Sequence, residues 1–153
     1  MAAHTDPASY TGATYAISAG LPATYDAAGY AATTITYTAI GQVESFPEVG
    51  LEAPVSEFRP INGNVKHLKG TPTYGSGQMV MADIPADAGQ VILKAAAGSQ
   101  SHYSMKITYA DGEVHYLDVL VSSWKMSAHG ENQAMKRTAT ISVERVPVIV
   151  AAS

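Results

Sequence analysis

Residues 103–124 read YSMKITYADGEVHYLDVLVSSW, and the architecture turns on them. Alternating side chains flank Asp111-Gly112, a dipeptide favoured in the two-residue type I′ loop that joins antiparallel strands. With such a loop Tyr109 faces Val114, Ile107 faces Tyr116 and Met105 faces Asp118. The first two pairs, extended by Tyr103, make one apolar face. At Asp118 the pattern breaks, and Leu117, Val119 and Val121 become the apolar set. That switch predicts either a bulge near Asp118 or burial of both faces.

The same period of two recurs on both sides of this hairpin. In a strand expected over 33–43, Ile35, Tyr37 and Ala39 alternate with Thr34, Thr36 and Thr38, and Ala139, Ile141 and Val143 alternate with Thr138, Thr140, Ser142 and Glu144. Residues 14–19 and 78–83 add short strands, residues 20–32 read as loop, and VPVIV at 146–150 is a terminal strand or an arm that docks on a neighbour. One helix is expected over about 87–97. Asp87 caps it, Ala88, Val91, Ile92 and Ala95 form its apolar stripe, and Gly98 stands where a left-handed stop belongs. Roughly six to eight strands and one helix predict a mainly β fold, an antiparallel sandwich or barrel packed by that helix.

The bulk composition excludes several function classes. At 153 residues the length predicts one domain, 1–153, with a polar N-terminal arm over 1–13 and a C-terminal arm over 146–153. The absence of Cys removes disulfides, thiolate metal sites and Cys nucleophiles. It suits a chain that folds in a reducing cytoplasm. No apolar run reaches the ~18 residues of a membrane span, so no membrane partner is expected. Charged residues are 14% of the chain, against about 25% in ordinary soluble domains. With nine Tyr, this describes the uncharged surface of a self-associating subunit. A net charge of −4 opposes a protein that grips nucleic acid, because that grip needs clustered Lys and Arg.

Catalytic patterns are missing as well. There is no phosphate-binding glycine loop, no HExxH and no GxSxG. The five His are scattered without a metal-ligand pair. Asp118, His115 and Ser122 or Ser123 are crowded into one strand, unlike the elements of a triad. The expectation is a non-enzyme without cofactor or metal.

The remaining unusual segment is GQVESFPEVGLEAPVSEF at 41–58, which holds Glu44, Glu48, Glu52 and Glu57 without one Lys or Arg. Its strand-like flanks predict a long protruding hairpin over about 35–60, punctuated by Pro47, Gly50 and Pro54. It reads either as a solvated acidic loop or as a wall that repels a polyanion. The following Gly- and Pro-rich loop, 59–77, carries Arg59, Lys66, His67 and Lys69. Those cations are ordinary surface groups or partners for acids of a neighbouring copy. Phe46 is a packing anchor or a contact used after assembly. Tyr25, Tyr30 and Tyr37 are candidates for an interface or for the core, and Trp124 for the core.

The order IGQVESFPEVG (40–50), EFRPI (57–61), KHLKG (66–70), TYGS (73–76) and DAGQVILKAAAG (87–98) resembles the tail tube proteins of long non-contractile phage tails and of gene transfer agents. The resemblance covers about residues 33–100. It implies a β-sandwich flanked by one helix, subunits in homo-hexameric rings whose hairpins join into an inner barrel, and rings stacked into a virion tail assembled in the host cytoplasm. DNA then passes through the lumen without specific binding, and tape measure, tail terminator and distal tail proteins are the further partners. On this resemblance Gln42 and Glu44 face the lumen from the first hairpin strand, and Glu57 from the return strand. Glu48 and Glu52 lie near the tip, and Phe46, Arg59, Lys66 and Lys69 belong to subunit or ring interfaces. Residues before 33 and after 145 depart from the family pattern. The competing reading is a sandwich-fold decoration or adhesin-type binding module with an exposed acidic loop.

Overall fold

The computed structural model describes residues 6, 7, 9–127 and 130–151. The expected arms therefore lie partly outside the described residues. The elements are β1 (Thr14–Ser18), α1 (Ala27–Tyr30), β2 (Thr38–Ile40), β3 (Val43–Ser45), β4 (Val55–Phe58), β5 (Lys66–Lys69), β6 (Ser76–Ala82), α2 (Ala88–Ala97), β7 (Tyr103–Thr108), β8 (Val114–Met126), β9 (Lys136–Val143) and β10 (Val148–Val150).

The long strand β8 organises the sandwich. Its first half lies between β7 and β10, and its second half pairs with β9. The sheet runs β2-β1-β7-β8-β9-β6-β3, with every pairing antiparallel. The register shifts between Val121 and Ser123, so one extra residue bends β8 there. The two leaves enclose a core that includes Ile17, Met79, Met105, Leu117 and Ile141, completed by Leu93 and Ala96 from α2. Alternation on β9 is as the sequence predicts: Ala139, Ile141 and Val143 are buried. Each large side chain so buried contributes about 1.5–3 kcal/mol.

The hairpin register differs from expectation by one residue. Tyr109 N–H donates to the Glu113 carbonyl and Gly112 N–H to the Tyr109 carbonyl, so the loop is Ala110-Asp111-Gly112, with Gly112 at φ 96°. Thr108 then faces Val114, Ile107 faces His115, Met105 faces Leu117 and Ser104 faces Asp118. Met105, Ile107, Leu117 and Val119 now share one face, and the apparent break at Asp118 disappears. No bulge is needed there; residues 116–119 are buried on both faces.

What covers the second face is the segment that reads as loop. Asp26 caps α1 by accepting from Gly29 N–H at 2.7 Å. Tyr30 stacks on Tyr116 at 5.3 Å, 1% exposed, and is core rather than interface. The single strand expected over 33–43 is instead two short ones. Gln42, at φ 58°, turns the chain between β2 and β3, and Ile40 rather than Ala39 is buried.

Helix α2 begins at its predicted cap but turns a different face inward. Gly89, Gln90, Leu93 and Ala96 are buried, whereas Ala88, Val91 and Ala95 are exposed and Ile92 is half-buried. The reason is polar. Gln90 Nε2 donates to the carbonyls of Gly41 (3.1 Å) and Ala82 (2.8 Å), and Oε1 accepts from Ile84 N–H (3.1 Å). Asp87 accepts from Gln90 N–H and from Gly41 N–H, at 3.0 and 3.1 Å. Buried backbone groups require such partners, so the β2–β3 turn selects this face. Gly98 ends α2 at φ −86°, without a left-handed stop.

Candidate assembly surface

The protruding element is the β4–β5 ribbon rather than a hairpin over 35–60. Val55 pairs with Lys69, Ser56 with Leu68, Glu57 with His67 and Phe58 with Lys66. All eight residues are exposed, Phe58 and Leu68 by 57% and 58%. The first predicted hairpin strand is occupied elsewhere: β3 pairs with β6, Val43 opposite Met81. Between β3 and β4 the described chain forms no ladder, only the isolated Glu52–Thr73 bridge, as Pro47, Gly50 and Pro54 predict. Residues 59–77, expected as loop, supply β5 and the start of β6. The ribbon is basic. Residues 54–70 contain Arg59, Lys66 and Lys69 against Glu57 alone. Glu57 is paired with Arg59 at 3.1 Å and His67 at 3.5 Å, and its strand, expected to return along the first hairpin strand, pairs with β5 instead.

The acids gather at the sandwich instead. Glu48 and Glu52 line a hollow of about 430 Å³ together with Glu144, and among the described residues no Lys or Arg lines it. Gly75, at φ 109°, lets the acidic segment cross the start of β6, since a Cβ there would stand 2.7 Å from the Glu48 carbonyl oxygen. Glu144 does not stand out in the sequence. Its only signal is an outward position just past β9. Gln42 is exposed at the β2–β3 turn, and Glu44 is exposed and paired with Lys136 at 2.8 Å.

Glu44 and Glu48 also border a groove of about 640 Å³ lined by Tyr15, Phe46, Tyr109 and the exposed Tyr10. Phe46 stacks on Tyr15 at 5.0 Å and, half-buried, packs against the core. Tyr10 lies on Tyr109 at 5.7 Å. His115 meets Tyr109 edge-on and reaches Glu113 at 2.6 Å. Burial pushes the Tyr109 phenol up to about 12. The ring stays neutral near pH 7, and the groove's charge resides on its carboxylates.

Asp118, His115 and the serines are not assembled as a triad. His115 is turned to Glu113, and Ser123 Oγ donates to Thr140 Oγ1. Asp118, 1% exposed, is held by His102 Nδ1 and Arg145 Nε, each at 3.2 Å, and Arg145 lies 3.7 Å over the Tyr25 ring. Removing one partner of a buried pair costs about 3–5 kcal/mol. Arg145 is half exposed and His102 remains, so Arg145→Met is expected to cost about 3 kcal/mol, the low end of that range. Urea unfolding measures it, and an unchanged midpoint would show that the clamp is idle.

The profile of the phage tail tube protein family matches residues 15–152. The chain belongs to that family. No curated protein matches it in sequence. Among solved structures, a chain of the anti-feeding prophage baseplate is 14% identical with TM-score 0.67, over 98% of this chain and 99% of the other. The SPP1 tail tube is 14% identical with TM-score 0.63, over 91% and 76%. A chain of the gene transfer agent tail is 11% identical with TM-score 0.58, over 89% and 95%. At such identities the likeness is one of fold. As a tail tube protein, the chain is a structural component of a phage tail.

Proposed function

We propose that this tail tube protein forms six-fold rings that stack into a hollow tube through which DNA reaches the host, with tape measure, terminator and distal tail proteins as neighbours. The observation that carries the proposal is the β4–β5 ribbon, exposed on both faces in the isolated subunit. A two-stranded ribbon is marginal alone, and among the described residues β2 and β3 each have one open edge. Closure into a ring would cover both. Two of the similar structures come from assemblies treated with six-fold symmetry.

In this proposal Gln42, Glu44, Glu48 and Glu52 face the bore, joined by Glu144, while Glu57 goes with Phe46, Arg59, Lys66 and Lys69 to the contacts between subunits. DNA carries one charge per ~1.7 Å of axis, and screening confines repulsion to about 8 Å from the wall at physiological salt. An acidic wall keeps phosphates from adhering without barring passage. The test is the quadruple variant E44Q/E48Q/E52Q/E144Q. Tubes should form in normal number and length by electron microscopy, while DNA delivery per particle falls several-fold. Unchanged delivery would remove the electrostatic role and leave the tube.

A further inference from the structure

We infer that Asn62, at the tip of the β4–β5 ribbon, is a site of spontaneous modification in the free subunit, where it converts through a cyclic imide to an aspartyl or isoaspartyl residue. The inference concerns the single chain and holds whether or not rings form.

The chemistry needs a side-chain amide followed by an accessible backbone nitrogen, and Asn is thermolabile for this reason. In Pro60-Ile61-Asn62-Gly63-Asn64-Val65 that nitrogen belongs to Gly63, which has no side chain to shield it. The Gly63 nitrogen loses its proton and attacks the Asn62 Cγ, and the new C–N bond closes the imide ring. The bond from Cγ to the amide nitrogen breaks, and ammonia leaves with the proton. Water then adds to either ring carbonyl, and the bond from that carbonyl to the ring nitrogen breaks. Opening at Cγ gives the aspartyl product, and opening at the backbone carbonyl gives the isoaspartyl one. In sum, amide and water become carboxylate and ammonium, with no oxidant or reductant involved.

The structure leaves this path open at Asn62. Residues 61–65 are exposed, and among the described residues no hydrogen bond holds the Asn62 side chain or the Gly63 N–H. A Cβ built on Gly63 would meet only Pro60. The loop tip is therefore free to swing the amide carbon onto the nitrogen. The comparable positions are closed, each by its own contact. Gly112 N–H, which follows Asp111, donates to the Tyr109 carbonyl at 2.9 Å, and Asp111 Oδ1 accepts from Glu113 N–H at 2.9 Å. Gln133 N–H, which follows Asn132, donates to the Gly130 carbonyl at 3.3 Å. Asn64 precedes Val65, whose branched side chain crowds the nitrogen. With Arg59, Lys66 and Lys69 against Glu57, a new carboxylate takes residues 54–70 from a net charge of +2 to +1. The age of a free subunit is thereby written in the charge of its ribbon.

The test follows the full-length protein in mildly alkaline buffer, folded and, in parallel, unfolded in guanidinium chloride. Peptide mass spectrometry with fragmentation resolves each Asn, and an isoaspartyl methyltransferase labels the isoaspartyl product. In the folded protein Asn62 is expected to convert several-fold faster than Asn64 and Asn132, with ammonia released in step. Its rate should be nearly the same in the unfolded chain, whereas conversion at Asn132 and isomerisation at Asp111 should rise several-fold on unfolding. Gly63→Ala should slow the reaction several-fold, and Asn62→Gln, which must close a larger ring, should abolish it on the same timescale. Conversion at Asn62 no faster than at Asn64 in the folded protein would overturn the inference. So would a several-fold rise at Asn62 on unfolding, which would show that the folded ribbon holds the amide away from its nucleophile.

Discussion

Gly89→Ala is expected to destabilise the subunit, although Ala is the better helix former by about 1 kcal/mol. The added Cβ would lie 2.1 Å from the Ala39 carbonyl oxygen and 2.7 Å from the Ile40 Cα, both backbone atoms that no rotamer change can move. To relieve the contact α2 must withdraw from β2, and overpacking of this kind typically costs about 1–3 kcal/mol. Withdrawal also stretches the Gln90 and Asp87 bonds to Gly41, which turn the chain from one leaf to the other. Leaving buried groups unpaired costs about 1–3 kcal/mol each. The sum outweighs propensity, so a net loss of about 2–3 kcal/mol is predicted from denaturant unfolding. A stabilised variant would mean that α2 does not press on β2.

Replacing the ribbon, residues 55–69, by a short Gly-Ser linker is expected to separate folding from assembly. None of its strand residues is buried, and among the described residues it pairs with no other sheet. Surface elements of this kind contribute within about 0.5 kcal/mol per substitution. The thermal midpoint should move by no more than a few degrees, on the order of 1 kcal/mol for a domain of this size. Tube formation, in contrast, should be lost altogether. Tubes of normal length from the shortened chain would assign the stacking contacts to other surfaces.

Much of this fold is legible locally. Period-two alternation marks β9 because its two faces differ in environment along the whole strand. Asp87 marks the start of α2 because a cap is a contact within one turn, Asp87 to Gln90 N–H. The inward face of α2 is not legible, since Gly89 and Gln90 are chosen by carbonyls at residues 39, 41 and 82 that only the folded chain brings near. The hairpin register is not legible for a different reason. Asp-Gly serves a two-residue loop and also a three-residue loop closed by Gly112 at positive φ, and the dipeptide alone does not distinguish them. In the site, the acids of 44–52 stand out by composition. Their separation from the basic ribbon depends on β3 choosing β6 as its partner, a tertiary choice. Glu144 joins Glu48 and Glu52 only because β9 lies beside β6.

A helical reconstruction of the polymerised protein by electron cryomicroscopy tests the central idea most directly. The account predicts six subunits per ring, each β4–β5 ribbon seated on a neighbouring copy, and Glu48, Glu52 and Glu144 turned toward the central bore. Ribbons extended into bulk solvent on the outer surface, with those carboxylates away from the channel, would contradict it.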